Sequence, residues 1–176
     1  MSFQDLELYR VYTHILLQSQ SASESEAVCT SLRCIGLVRQ GLVYGIAVHF
    51  IRYCLSYIES QDVTDFCMGD ALDIILEIVL GEPDPSEIAL GNTLVVKECQ
   101  DIVRCYSGLL CKLAESNDEF VVYGALELLW ELEPDNRLLV QLAREAEQRE
   151  LRQRSAWTHD GFLRLLAQIL KNSGRT

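Results

Sequence analysis

Apolar residues recur at helical spacing along almost the whole chain. No stretch alternates β-branched and polar residues over a useful length, so the pattern predicts no strand. About eight helices are expected. The first runs from a capping pair, Ser2 with Asp5, to about Gln18. The second opens at a capping box, Ser23 with Glu26, and stops at Gly41. An aromatic-rich helix, "LVYGIAVHFIRYCLSYIE", runs from about Leu42 to Glu59. The next is capped by Asp62 or Thr64 and ends at Gly81. "GEPDPSEIALGN", residues 81–92, is the one long irregular piece. Asn92 or Thr93 then starts a helix to about Ala114, and Asn117 or Asp118 caps one over 119–133. Pro134 opens a helix to about Arg154, and the last runs from about Gly161 to Lys171.

Two of these helices end in nearly the same words: "ALDIILEIVLGEPD" at 71–84 and "ALELLWELEPD" at 125–135. On a helical wheel, Ala71, Leu72, Ile74, Ile75, Leu76, Ile78 and Val79 cover roughly 200°. Asp70, Asp73 and Glu77 fall together on the other face. Ala125, Leu126, Leu128, Leu129, Trp130 and Leu132 repeat the wide arc, and Glu127 and Glu131 repeat the stripe. Phe162, Leu163, Leu165, Leu166, Ile169 and Leu170 make a third copy, with Arg164 and Gln168 in the stripe. So wide an arc suits a helix contacted on two or three sides. Each copy has an apolar pair 23 or 24 positions upstream: Ala47-Val48, Ile102-Val103 and Leu138-Leu139. That is the spacing of helix, turn, helix. It divides a single all-α domain over 1–176 into hairpins at about 1–41, 42–81, 92–133 and 134–172.

Over residues 42–172 these units resemble the HEAT/armadillo class of α-solenoids, which implies stacked antiparallel hairpins. A compact helical bundle is the alternative, since it would show the same phasing.

Charge narrows the choice of partners. The chain carries a net −11, unevenly spread: residues 1–136 hold 22 acids and 7 bases, and residues 137–176 hold 4 acids and 8 bases. Nothing basic lies between Arg52 and Lys97, a gap that contains nine acids. Nucleic acid would be repelled there and a basic protein attracted. The expected binding face comprises Asp70, Asp73, Glu77, Glu127 and Glu131, with Glu82 and Asp84 on the loop at its edge. Tyr53 and Tyr57, four residues apart just before the acidic segment, are candidate anchors. The cationic run "REAEQRELRQR" reads as an exposed helix laced by Glu145–Arg149 and Glu150–Arg154 pairs.

Catalytic signals are sparse. Asp70-x-x-Asp73 and Glu98-x-x-Asp101 loosely resemble the paired acidic helices of all-α nucleoside-triphosphate pyrophosphohydrolases. The resemblance implies magnesium held by those four acids, with Asp/Asp standing where that family has Glu/Glu. His14, His49 and His159 sit at no ligand interval. Nucleophile elbows, phosphate loops and dinucleotide fingerprints are missing. The seven cysteines include no C-x-x-C and lie mostly among apolar neighbours, as buried thiols in a reducing compartment would. No apolar run is long enough for a membrane span, and the first residues lack a secretory pattern. These features set the expectation: a cytoplasmic, non-enzymatic module without cofactor that masks a basic partner. In size, charge and helical architecture it is similar to immunity proteins that neutralise bacterial toxins such as nucleases. A cytosolic adaptor or chaperone-like scaffold and the pyrophosphohydrolase are the other readings.

Overall fold

A computed structural model of the chain describes residues 3–34, 37–61, 63–134, 137–153 and 160–172. Among these the protein is mostly helical. The helices are α1 (Phe3–Leu17), α2 (Ala22–Cys34), α3 (Ala47–Ser60), α4 (Asp65–Val79), α5 (Pro85–Ala89), α6 (Val95–Cys105), α7 (Ser107–Leu113), α8 (Glu119–Leu132), α9 (Arg137–Gln153) and α10 (Asp160–Asn172). The chain separates into two compact units, Met1–Tyr106 and Ser107–Thr176. The expected hairpin at 92–133 spans that division.

The first unit interleaves its helices. α1 pairs with α2, but α3 lies chiefly on α6 and α1, and α4 lies chiefly on α2 and α6. α4 is the centre. Cys67, Ala71, Leu72, Ile74, Ile75, Leu76, Ile78 and Val79 are all buried, so the wide arc read from the sequence is filled by neighbours on several sides. Phe50, Ile51, Cys54 and Leu55 of α3 complete this core with Leu16 and Leu32. The second unit follows chain order more closely: α7 packs on α8, α8 on α9, and α9 on α10. Val121, Ala125, Leu126, Leu128 and Leu129 of α8 are buried, and Phe162 of α10 meets Tyr123 edge-on at 6.2 Å.

The structure corrects the expected elements at four places. Residues 38–43 form a hairpin, β1 (Val38–Arg39) and β2 (Leu42–Val43), and β2 also pairs in parallel with β3 (Glu82–Pro83). Register places Val38 opposite Val43 and Arg39 opposite Leu42, so only Gln40 and Gly41 turn the chain. Both have positive φ, 52° and 77°. That is the backbone of a type I′ turn, whose twist matches the strands. Gly41 is therefore a turn residue rather than a helix stop, and α3 begins at Ala47 instead of Leu42.

The long helix expected to Ala114 is broken at Tyr106, just before the weak helix formers Ser107 and Gly108. There the Tyr106 hydroxyl shares a 2.8 Å hydrogen bond with Ser56 of α3. The capping box of α2 sits two residues early: Glu24 N–H donates to Ser21 Oγ at 3.2 Å, and Gln20 N–H donates to Glu24 at 2.8 Å. Arg149 does not pair with Glu145. Its guanidinium donates to the carbonyls of Ala114, Glu115 and Ser116, each at 2.7 Å, closing the C-terminal end of α7. Asp118 caps α8 as expected, accepting from Phe120 N–H and Val121 N–H. Ser2, Asp62, His159 and the Glu150–Arg154 pair lie outside the described residues.

Gly81 leaves α4 under the hairpin. A Cβ there would meet the Gly41 carbonyl oxygen at 2.7 Å and a Val43 methyl at 2.6 Å. The carbonyl is backbone and cannot step aside cheaply. Gly81→Ala is expected to lose about 1–3 kcal/mol of stability in chemical denaturation. Gln40→Asn, which suits positive φ better, is expected to gain roughly 0.5–1 kcal/mol. A neutral result for both would remove the I′ turn and the close approach from the account.

Candidate protein-binding surface

The acidic stripe of α4 is turned toward α2, and it is occupied. Arg33, near the end of α2, donates to Asp73 at 2.6 Å and to Glu77 through Nε at 2.9 Å and Nη2 at 2.6 Å. Asp70 accepts from the buried Ser25 hydroxyl, and Cys29 Sγ approaches its carbonyl at 3.9 Å. Burial alone would pull the Arg33 guanidinium down, but Glu77 and Asp73 outweigh it and hold it above its ordinary value. Three acids that the wheel assigned to a partner thus fasten α4 to α2. Without Arg33, Asp73 and Glu77 would repel each other four residues apart.

Tyr53 and Tyr57 are also engaged within the unit. Their rings stack at 6.1 Å on the α1 side of α3. Gln18 donates to the Tyr57 hydroxyl at 2.9 Å, and Arg10 lies 6.0 Å over the Tyr53 ring. His14 meets the edge of Tyr57 and shares a 3.4 Å contact with the Tyr53 hydroxyl. Both tyrosines remain half-buried, with one side toward water. In the second unit, Glu131 is exposed, whereas one carboxylate oxygen of Glu127 is buried without a hydrogen-bond partner.

The connection between α4 and α6, residues 80–94, is different. It is not the irregular loop expected. Asp84 caps α5, accepting from Ser86 N–H at 2.8 Å and from the Ser86 hydroxyl, and Pro85 fills the first helical position. Glu82 N–H donates to Gly41 O at 2.8 Å and Asp84 N–H to Val43 O at 2.9 Å. At the far end, Asn92 donates to the Glu87 carboxylate at 2.6 Å and its N–H to the Glu87 carbonyl at 2.8 Å. Gly91, with φ 86°, makes the turn between them possible. The Ser86 hydroxyl and N–H, with a smaller share from Tyr44, hold the Asp84 carboxyl below the usual carboxylate range. This contribution is present above the ordinary carboxylate pKa and is lost as pH falls through the lowered one. The same contact raises the Tyr44 hydroxyl.

A segment so well tied nevertheless leaves large apolar side chains in water. Leu80 is 54% exposed, Ile88 50%, Leu90 75% and Leu94 66%. Four of the nine exposed large hydrophobics found among the described residues lie in this short stretch. In the same stretch Glu82 is exposed and Asp84 is nearly buried at 9%. This cluster was missed in the sequence, although Ile88, Leu90 and Leu94 belong to no helical stripe there.

The acids suggested for magnesium do not assemble. Asp101 is held by Lys97 and by Arg104, each at 2.7 Å, and those contacts lower its carboxyl from the ordinary value. Asp70 and Asp73 serve α2. Among the described residues no group of three or more His, Cys, Asp or Glu side chains is placed to hold a metal. A cavity in the second unit, lined by Ser116, Val122, Arg149 and Phe162, has room for about one water, about 20 Å³. Among the described residues no helix is long and apolar enough to cross a membrane. No protein-family model, curated protein or solved structure matches the chain.

The thiols divide by burial. Burial, with Asp70 adding to it, pushes Cys29 up to about 12; burial and Glu98 push Cys99 up to about 12; burial also raises Cys54. Cys34 and Cys105 are exposed. Iodoacetamide at about pH 8 should therefore label Cys34 and Cys105 in the native protein and spare Cys29, Cys54 and Cys99 until denaturant is added. Peptide mass mapping reads this directly, and early labelling of Cys54 would contradict the packing of α3. Arg33→Met is expected to cost about 1–3 kcal/mol in chemical denaturation. If the loss is no larger than that of Arg39→Met, an exposed arginine with no ion pair among the described residues, the clamp on α4 has no energetic weight.

Proposed function

We propose that the chain is a non-enzymatic protein-binding module that covers a basic surface of its partner. One observation carries this reading. Once internal pairing is counted, three exposed acids of the first unit lie on a stretch of chain with no base of its own, while Glu24, Glu26 and Glu98 are exposed elsewhere. Glu59, Asp65 and Glu82 are exposed and make no ion pair among the described residues, and the sequence holds no Lys or Arg from 53 to 96. The α4 stripe contributes field rather than contact, since Arg33 offsets only part of its charge. The contact surface therefore shifts from Asp70, Asp73 and Glu77 toward Glu82 and its neighbours. Such a surface speeds encounter with a cationic protein and rejects acidic ones. A toxin domain with a cationic cleft, nucleases included, has the required chemistry, and so does a basic client of an adaptor. The chain-order pairing of α7 to α10 supports HEAT-like stacking for the second unit alone. The pyrophosphohydrolase reading gains nothing from the geometry, because Asp101 already has two cationic partners.

The test is capture at low salt followed by direct affinity measurement on the recovered protein. The expected partner is basic, and its affinity falls steeply with added salt. Charge reversal at exposed positions, Glu59→Lys with Glu82→Lys, should weaken it by about tenfold or more, chiefly through slower association. Equal affinity for the reversed protein would end the proposal.

A further inference from the structure

The exposed apolar residues at 80–94 call for an occupant, and their surroundings restrict what it is. Soluble proteins seldom leave several large aliphatic side chains together in water on a tightly hydrogen-bonded segment unless something covers them. Here the segment is held at both ends and in the middle: by Glu82 N–H and Asp84 N–H on β2, by the Asp84 cap, and by the Glu87–Asn92 pair. Little ordering entropy would be lost on binding, which favours a contact over a merely flexible loop. Leu80 follows α4 and Leu94 precedes α6, while Ile88 stands on α5 and Leu90 at its end. α6 lies against both α4 and β3, and Gln100 of α6 donates to the Val79 carbonyl at 3.0 Å. The connection is thus folded back between two helix ends rather than stretched out.

Charge selects among candidate occupants. The nearest acids along the chain are Glu77, Glu82, Asp84, Glu87 and Glu98, against Lys97 on the chain and one exposed base, Arg39, in the same sheet row as Glu82. A second copy of this chain would bring the same acids face to face. An anionic lipid surface would be repelled for the same reason. A helix with leucine-type anchors on one face and lysine or arginine at its borders satisfies both features at once. We infer that residues 80–94 form a docking surface for a basic amphipathic helix of the partner, with Leu80, Ile88, Leu90 and Leu94 receiving its apolar face and Glu82 and Glu98 its cationic borders. This rests on the protein-binding reading above and gives it a location and a ligand class.

The experiment uses the full chain and synthetic peptides of about five helical turns, followed by fluorescence anisotropy. One is a Leu/Lys peptide with an amphipathic pattern. The second has the same composition in scrambled order, and the third replaces lysine by glutamate. The variant Leu90→Ser/Leu94→Ser removes apolar surface from residues that are mostly in water, and serine at 94, the residue preceding α6, is a favoured cap. An unchanged melting temperature confirms that it folds. The amphipathic Leu/Lys peptide should bind about tenfold or more tightly than the scrambled one, and the double serine variant should lose that preference. Glu82→Gln/Glu98→Gln should weaken both lysine peptides. If the scrambled peptide binds as well, or the serine variant binds unchanged, the docking surface is wrong while the acidic-module reading stands. If the charge variants have no effect, or the glutamate peptide binds equally, the charge reading itself fails. Leucine-dependent binding to phosphatidylglycerol vesicles in place of the peptides would overturn the inference in favour of a membrane surface.

Discussion

Two backbone hydrogen bonds organise the surface of the first unit: Glu82 N–H to Gly41 O and Asp84 N–H to Val43 O. Each is worth about 0.5–1.5 kcal/mol by itself. Their importance is positional. They convert the exit of α4 into a third strand beside the β1–β2 hairpin, which aims the chain so that Asp84 can cap α5. Without that pairing, residues 82–92 would keep only their internal restraints, the Asp84 cap and the Glu87–Asn92 pair, and nothing would fix them to the hairpin. The exposed aliphatic residues on them would then find cover by collapsing onto the unit. The fixed backbone is what keeps them outside.

The pairing depends in turn on two small features. Gln40-Gly41 must turn within two residues, and Gly81 must lie against the Gly41 carbonyl without a side chain between them. Gly41 suits the first requirement, and Gln40 accepts positive φ at some cost. The hairpin is so short that it has almost no stability of its own. It forms because Leu37, Val38 and Val43 are buried against the helical core. Helical packing thus creates the strand, and the strand then positions the connection.

This hierarchy explains what was legible in the chain. The wide apolar arcs of α4 and α8 were readable, because periodicity over many residues integrates a strong burial signal. The helix ends near Val79 and Leu132, and the Asp118 cap, followed from local chemistry. The hairpin was not readable, since two-residue strands show no alternation and Gln-Gly is a poor turn signal beside Asn-Gly or Asp-Gly. The break at Tyr106 had only Ser107-Gly108 to announce it. The acidic stripe shows a deeper limit. The wheel placed Asp70, Asp73 and Glu77 on one face correctly, but it could not show that Arg33, 44 residues before Glu77, would face them. A polar stripe looks the same whether it meets solvent or an arginine from another helix.

Pairing also gives the remaining charges their meaning. Some structural acids have a local base, Arg33 for Asp73 and Glu77 and Lys97 and Arg104 for Asp101, while Asp70, Asp84 and Asp118 are held by hydroxyl or backbone N–H donors. Glu59 and Glu82 have no such base, whereas Asp65, in the first turn of α4, faces the positive end of that helix. A neutral residue at exposed Glu59 or Glu82 would fold about as well. An uncompensated acid in the same stretch as exposed leucines is therefore poorly explained by stability. The proposed partner would neutralise the charge and cover the apolar surface together, because burying either alone is less favourable. A purely apolar partner would strand carboxylates against it, and a purely ionic one would leave the leucines wet. The proposed basic amphipathic helix would satisfy both with one surface.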